Sequence, residues 1–200
     1  MLPIRSAVPL LAPCLLLAAC AAPPVVQHPA IGQPLFTRFT VRVDGPKIYS
    51  SNYSDPPPGY PPGTSATISV ITPDRIDLVV NGVPYQLYAV EGTFQPGTLD
   101  TFIHKYFVTN PGELQLETMP PQTRSAIQSG TVIPGMTKLE AYLAMGPPPQ
   151  VNFGQKTFLM PLEAILEQNR WEYYPNVFTG FFGVRRVILF ASGEVVQVIQ

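Results

Sequence analysis

Only two cysteines occur in the 200 residues, Cys14 and Cys20, both in the first tenth of the chain. Everything downstream is therefore without a disulfide or a thiolate, and a core has to stabilise it. Histidine is as scarce, with only His28 and His104, and no HExxH, CxxC or DxD spacing accompanies them. No metal site and no cofactor is expected on that basis. Charge is thin and nearly balanced, with 12 Lys and Arg against 13 Asp and Glu. Such a balance offers no basic field for nucleic acid. No apolar run reaches the roughly 20 residues of a membrane-spanning helix. There is no G-x-S-x-G elbow, and "GTFQPG" lacks the G-K-[ST] ending of a phosphate loop. Glu163 and Glu167, four apart, are like charges of the kind that mark a solvated helix face, so no catalytic residues are expected. What is abundant is proline, at 25 residues, against a usual share of about 5%. It predicts many loops and short elements.

The chain opens MLPIRSAVPLLAPCLLLAAC. Arg5 is the only charge before an apolar stretch that ends in small residues, the layout of a secretory signal. Leu17-Ala18-Ala19-Cys20 resembles the lipobox of bacterial lipoproteins. The resemblance implies a signal peptide over residues 1–19, cleavage before Cys20 and acylation of that cysteine. Ala21 in the next position resembles the pattern that sends lipoproteins to the outer membrane. Residues 20–34 are small and proline-bearing without periodicity, and read as a semi-extended tether of on the order of 40 Å.

Residues 35–110 read as a β-rich module. Thr37 to Val43 alternates Phe39, Val41 and Val43 with Arg38, Thr40 and Arg42. Thr64 to Ile71 does the same with Ala66, Ile68 and Val70 on one face. Asn81-Gly82 between two β-prone runs is the strongest short hairpin signal, since both central residues of a type I′ turn need positive φ. A small antiparallel meander or SH3-like barrel is expected, with Ser54 to Gly63 as a proline-rich loop. The period then changes, and Leu99, Phe102, Ile103, Tyr106 and Phe107 predict a helix over 98–107.

Residues 120–200 read as two short helices followed by three antiparallel strands, making the whole an α+β fold. Pro121 to Gln128 is the first helix, with Gly130 past its end. Thr137 and Glu140 are spaced as a capping box for the second. Leu139, Tyr142 and Leu143 form its stripe. Gly146 and the following prolines stop it. Strands are expected over Arg170 to Tyr174, Gly183 to Phe190 and Glu194 to Ile199.

This order, with Ile127, Gly135-Met136-Thr137, Met145-Gly146-Pro147-Pro148, Trp171-Glu172-Tyr173 and Phe190-Ala191-Ser192-Gly193-Glu194-Val195, resembles the BamE/SmpA (OmlA) lipoproteins. Met145 stands where the family has leucine, and the loop Pro149 to Asn169 is longer than in compact members. The resemblance implies that Gly135, Met136, Thr137, Glu140, Gly146, Trp171 and Tyr173 are fold-signature residues. It also implies a helix pair laid on a sheet, in a periplasm-facing lipoprotein of the outer membrane.

Contact residues are sought among exposed aromatics. Phe178, Phe181 and Phe182 surround Gly180 between two expected strands; exposed, they form a patch for a partner or the membrane surface, and buried, they are core. Arg185 and Arg186 beside them meet lipid phosphates or solubilise an edge strand. The expected function is non-catalytic binding or scaffolding of another envelope protein during assembly or maintenance. The alternative is an inhibitor or small-ligand-binding lipoprotein, since the fold resembles that of β-lactamase inhibitory proteins. A wall hydrolase is the third and weakest reading.

Overall fold

The computed structural model describes residues 24–51, 58–90, 92–174 and 186–199. The expected signal peptide and Cys20 lie outside them. The fold is mixed α+β, with a curled half-barrel sheet and a few short helices.

The first sheet is built from β1 (Leu35–Thr37), β3 (Lys47–Tyr49), β5 (Ser65–Ile71), β6 (Arg75–Val80), β7 (Val83–Tyr88) and β8 (Phe107–Val108), after the two-residue β2 (Val41–Arg42) and before β4 (Pro58–Tyr60) is counted apart. Its order is β3-β7-β6-β5-β1-β8, and β2 pairs separately with β4. The β6–β7 hairpin turns on Asn81 and Gly82, at φ 49° and 80°, as the type I′ signal requires. Two features depart from a simple meander. β3 joins β7 in parallel. A bulge between Ile68 and Val70 shifts the register of β5, so Ile71 and not Val70 continues the fully buried row of Ala66 and Ile68.

The expected single strand over Thr37 to Val43 is broken by a bend at Arg38 and Phe39, and its polar face is not solvated. Arg38, Thr40 and Arg42 are all buried. Arg38 donates to the carbonyls of His104 and Phe107, at 2.8 and 3.2 Å. These lie at the C-terminus of α1 (Pro96–Tyr106). The Thr40 hydroxyl donates to Ile127 in the last turn of α2 (Pro121–Gln128), and Arg42 donates to Gly130 just beyond it. The Thr40 amide reaches Leu143 in the last turn of α3 (Lys138–Met145) at 2.8 Å. One five-residue bend thus donates to carbonyls at three helix ends. Phe39, at its centre, is enclosed edge-on by Tyr106 and Tyr142. Burying such a ring contributes about 1.5–3 kcal/mol.

The proline-rich segments are also more ordered than a loop and a tether. β4 falls inside Ser54 to Gly63 and pairs with β2. From Val26 on, the expected tether docks on β5, through Val26 to Ile71 and Gly32 to Ile68. His28 adds a 3.0 Å bond to Asp100 on α1.

In the C-terminal half, α3 starts with the capping box, Glu140 N to Thr137 Oγ1 and Thr137 N to Glu140 Oε2. Gly146 ends it at φ 74° and ψ −167°, a glycine-only conformation but not the left-handed helical one. Leu139, assigned to the buried stripe, is 44% exposed; Ala141 and Tyr142 to Met145 face inward instead. The expected loop Pro149 to Asn169 holds a hairpin, β9 (Gln150–Val151) and β10 (Gln155–Lys156), and a helix, α4 (Leu162–Glu167). With β11 (Arg170–Tyr173), β12 (Arg186–Ala191) and β13 (Glu194–Ile199) they give a five-stranded antiparallel sheet, order β10-β9-β11-β12-β13. Among the described residues one continuous core runs from Leu35 in β1 to Val195 in β13.

Candidate functional site

Trp171, Glu172 and Tyr173 follow one another on β11, and all three are fully buried. The aromatic pair packs under a helix. Trp171 meets Tyr142 of α3 at 6.3 Å, and the Tyr173 hydroxyl donates to Gly146. Glu172 points to the opposite face of the sheet, as strand alternation demands, where a charged side chain would normally be wet. It is covered because the β9–β10 turn folds over it. Its Oε1 accepts from Arg170 Nε at 2.7 Å and from the Phe153 amide at 3.1 Å, while Oε2 takes the Tyr174 hydroxyl.

The turn held this way has an unusual backbone. Asn152, Phe153 and Gly154 all have positive φ, at 44°, 66° and 113°. Asparagine and glycine tolerate this region, but a bulky phenylalanine there is strained by about 1–3 kcal/mol. The strain presents an aromatic ring to water: Phe153 is 83% exposed, the largest exposure among the large apolar side chains described. The Arg170 guanidinium stacks 4.5 Å from its ring centroid, so the ring is backed by a cation that Glu172 holds in place. Neither strain nor exposure of this ring improves folding. A residue placed so at a tip is suited to enter a partner's pocket.

Other groups of catalytic type have partners within the fold. Lys105 is buried and donates to the carbonyls of Thr157 and Phe158, at 2.8 and 2.6 Å; burial lowers its ammonium to about 8. Tyr106 and Tyr142 are pushed well up by burial, and both hydroxyls donate to backbone carbonyls. His104 is exposed and lies 3.4 Å from Glu163, whose carboxyl is held down first by its own backbone N–H and then by the histidine. Among the described residues no three His, Cys, Asp or Glu side chains cluster as a metal ion would need, and no helix is long and apolar enough to cross a membrane.

The residues proposed from sequence separate into two sets. Phe178, Phe181, Phe182 and Arg185 lie outside the described residues. Arg186 is half-buried in β12 opposite Tyr173. β12 runs between β11 and β13, so Arg186 does not belong to an edge strand. The signature residues do come together. Gly135 and Met136 pair through their backbones with Val195, and Thr137 bridges to Glu194. These contacts moor the start of α3 to β13, while Trp171 and Tyr173 pack beneath it.

Sequence reasoning did not find Phe153. The signal present was an Asn-Phe-Gly triplet between short polar runs, a turn with an aromatic where a small residue belongs. No protein-family model matches the chain, and no curated protein or solved structure matches it either.

Proposed function

We propose that this chain is a lipid-anchored, non-catalytic binding module of the bacterial cell envelope, held at Cys20 to the periplasmic side of the outer membrane. In this reading residues 120–200 are a BamE/SmpA-like domain and the β-rich half an SH3-like module ahead of it. The sequence supports the anchoring through the lipobox, and the ordered motif set supports the family. The partner is another envelope protein, engaged during assembly or maintenance.

The observation that carries the binding role is the Phe153 tip: an exposed aromatic in a strained backbone, backed by Arg170 and tethered to a fully buried Glu172. A pre-set anchor of this kind lowers the ordering cost of association. Its partner presents an apolar pocket whose rim accepts hydrogen bonds from the neighbouring Asn152 and Gln155 side chains.

The test uses the native lipoprotein, with photo-crosslinking from position 153, beside Phe153→Asn and Cys20→Ser. One envelope protein should crosslink reproducibly at 153, and its co-purification with the lipoprotein should be lost in Phe153→Asn, which should be no less stable than the parent because asparagine tolerates the positive φ. Cys20→Ser should leave the protein soluble. Crosslinks scattered over many proteins would remove the contact assignment, and a Cys20→Ser variant that still sediments with the outer membrane would remove the anchor.

The second reading, a small-ligand-binding lipoprotein, is favoured by a separate feature, a cleft on the far side of the β6–β7 hairpin.

A further inference from the structure

Parallel pairing of β3 with β7 sets Lys47 beside Gln86 and Tyr49 beside Tyr88, while Ile48 and Leu87 between them face the core. The antiparallel register of β6 then places Arg75 next to Tyr88 and Asp77 next to Gln86. Side chains from three strands therefore share one face of the sheet in two rows, Tyr49-Tyr88-Arg75 and Lys47-Gln86-Asp77, with Tyr49 buried, Tyr88 half-buried and Lys47 exposed. The rings of Tyr49 and Tyr88 are 6.3 Å apart and tilted 34°, a shallow V, and the Lys47 ammonium stands 5.9 Å from the Tyr88 ring centroid. Lys47, Tyr49, Tyr88, Ala89 and Val90 line an open cleft of about 260 Å³.

The charges around this cleft are not equally engaged. Arg75 grips Asp77 at 2.7 Å, which raises the guanidinium further. Asp44 lies against the Tyr49 hydroxyl; burial first, and then that carboxylate, raise the phenol. The Tyr88 hydroxyl donates to Gln86 at 2.7 Å. Asp44 and Asp77 are thus occupied, and among the described residues Lys47 has no carboxylate within ion-pair distance. A cation without a counter-ion among the described residues, beside two tyrosine rings and a row of hydrogen-bonding groups, is an arrangement that stability does not require.

We infer that this cleft binds a single sugar ring carrying a carboxylate. The ring's C–H face lies on the tyrosine pair, its carboxylate meets Lys47, and its hydroxyls exchange hydrogen bonds with Gln86 and the backbone of Ala89 and Val90. The cleft is smaller than the ~300–1,000 Å³ pockets that take drug-sized ligands, which suits one ring of a longer glycan left free to run out through the open side. The aromatic faces supply sequence-independent stacking and the lysine supplies the preference for acid over neutral sugar. This site is separate from the Phe153 tip and does not depend on it.

The probes are glucuronate, glucose and acetate, titrated into the protein while the ring resonances of Tyr49 and Tyr88 are followed by NMR. Glucuronate should shift both rings saturably in the millimolar range, at least fivefold more tightly than glucose, and acetate alone should not shift them in that range. Added salt at 0.5 M should remove the preference, because a single exposed ion pair is screened. Lys47→Gln should bring glucuronate down to the level of glucose, and Tyr88→Leu should abolish both. Lys47 is solvent-exposed, so its variant keeps the fold and carries the test even if Tyr88→Leu melts. Three results would overturn the assignment: no saturable shift with either sugar, an undiminished acid preference in Lys47→Gln, or a proline-rich peptide shifting the rings at lower concentration than the sugar. The last would make the tyrosine pair a polyproline shelf. None of these results touches the crosslink at position 153, so the cleft and the tip stand or fall separately.

Discussion

The Thr40 hydroxyl donates to the backbone carbonyl of Ile127, 87 residues further along the chain, inside a buried joint between a chain bend and helix ends. Arg38 and Arg42 flank it and do the same for the ends of α1 and α2. The joint ties a strand region of the first half to the helix termini of the second, so the two halves share polar bonds as well as a core.

Removing that hydroxyl without changing shape isolates its contribution. Thr40→Val leaves the Ile127 carbonyl with the Gly130 amide but without this donor, and should cost about 0.5–1.5 kcal/mol. Urea unfolding should show a lower midpoint at an unchanged m-value, since the surface exposed on unfolding is the same. A midpoint equal to the parent would mean that the helix end is satisfied in another way.

Gly92 lies against the Phe158 ring so closely that a Cβ would overlap Cδ1 and Cε1. Phe158 cannot swing aside freely, because Phe94 and Phe102 pack on it at 5.9 and 5.7 Å and its carbonyl holds Lys105. Gly92→Ala should therefore destabilise by about 1–3 kcal/mol through overpacking. Thermal melts of the two proteins check this.

Lys105 and the buried tyrosines predict an alkaline stability maximum. The Lys105 ammonium is lowered from 10.5 to about 8 by burial. Between those values the unfolded chain binds more protons than the folded one, so stability rises with pH from about 8. Tyr106, Tyr142 and Tyr173 are raised in the folded state by burial. Their contribution is present below pH 10 and is lost as pH rises beyond it. Stability should climb between about pH 8 and 9.5 and fall above 10. Lys105→Met should abolish the climb and keep the fall, as read from denaturant midpoints across that range.

Ser192 and Gly193 form the two-residue turn between β12 and β13 at φ 52° and 86°. Asparagine tolerates the first of these positions better than serine. Ser192→Asn should raise stability by about 0.5 kcal/mol, measured by the same urea titration.

Much of the local structure was legible in the residues. The Asn81-Gly82 hairpin, the helix over Pro121–Gln128, the Thr137–Glu140 capping box and the Trp171/Tyr173 row all follow from signals only a few residues long. Misreadings arose where a neighbour distant in sequence decides the matter. Alternation set Phe39, Val41 and Val43 against Arg38, Thr40 and Arg42, but it does not show the bend at Arg38 and Phe39 or the helix ends that cover the second group. The helical period placed Leu139 in one stripe with Tyr142 and Leu143, but the packing of α3 buries those two and leaves Leu139 in water. The segment 149–169 lacks a periodic run long enough to announce the hairpin and helix it contains.

Sequence by itself determined which residues can turn, which can cap and which share a face, because these depend on φ preferences, side-chain reach and a period of 2.0 or 3.6. Only the tertiary structure decided what covers each face. Parallel pairing brings Tyr49 to Tyr88 across 38 intervening positions. The β9–β10 turn closes over Glu172 and leaves Phe153 in water. Both outcomes rest on contacts between segments far apart in the chain, whose free energy comes from burial and partner groups that no local window contains.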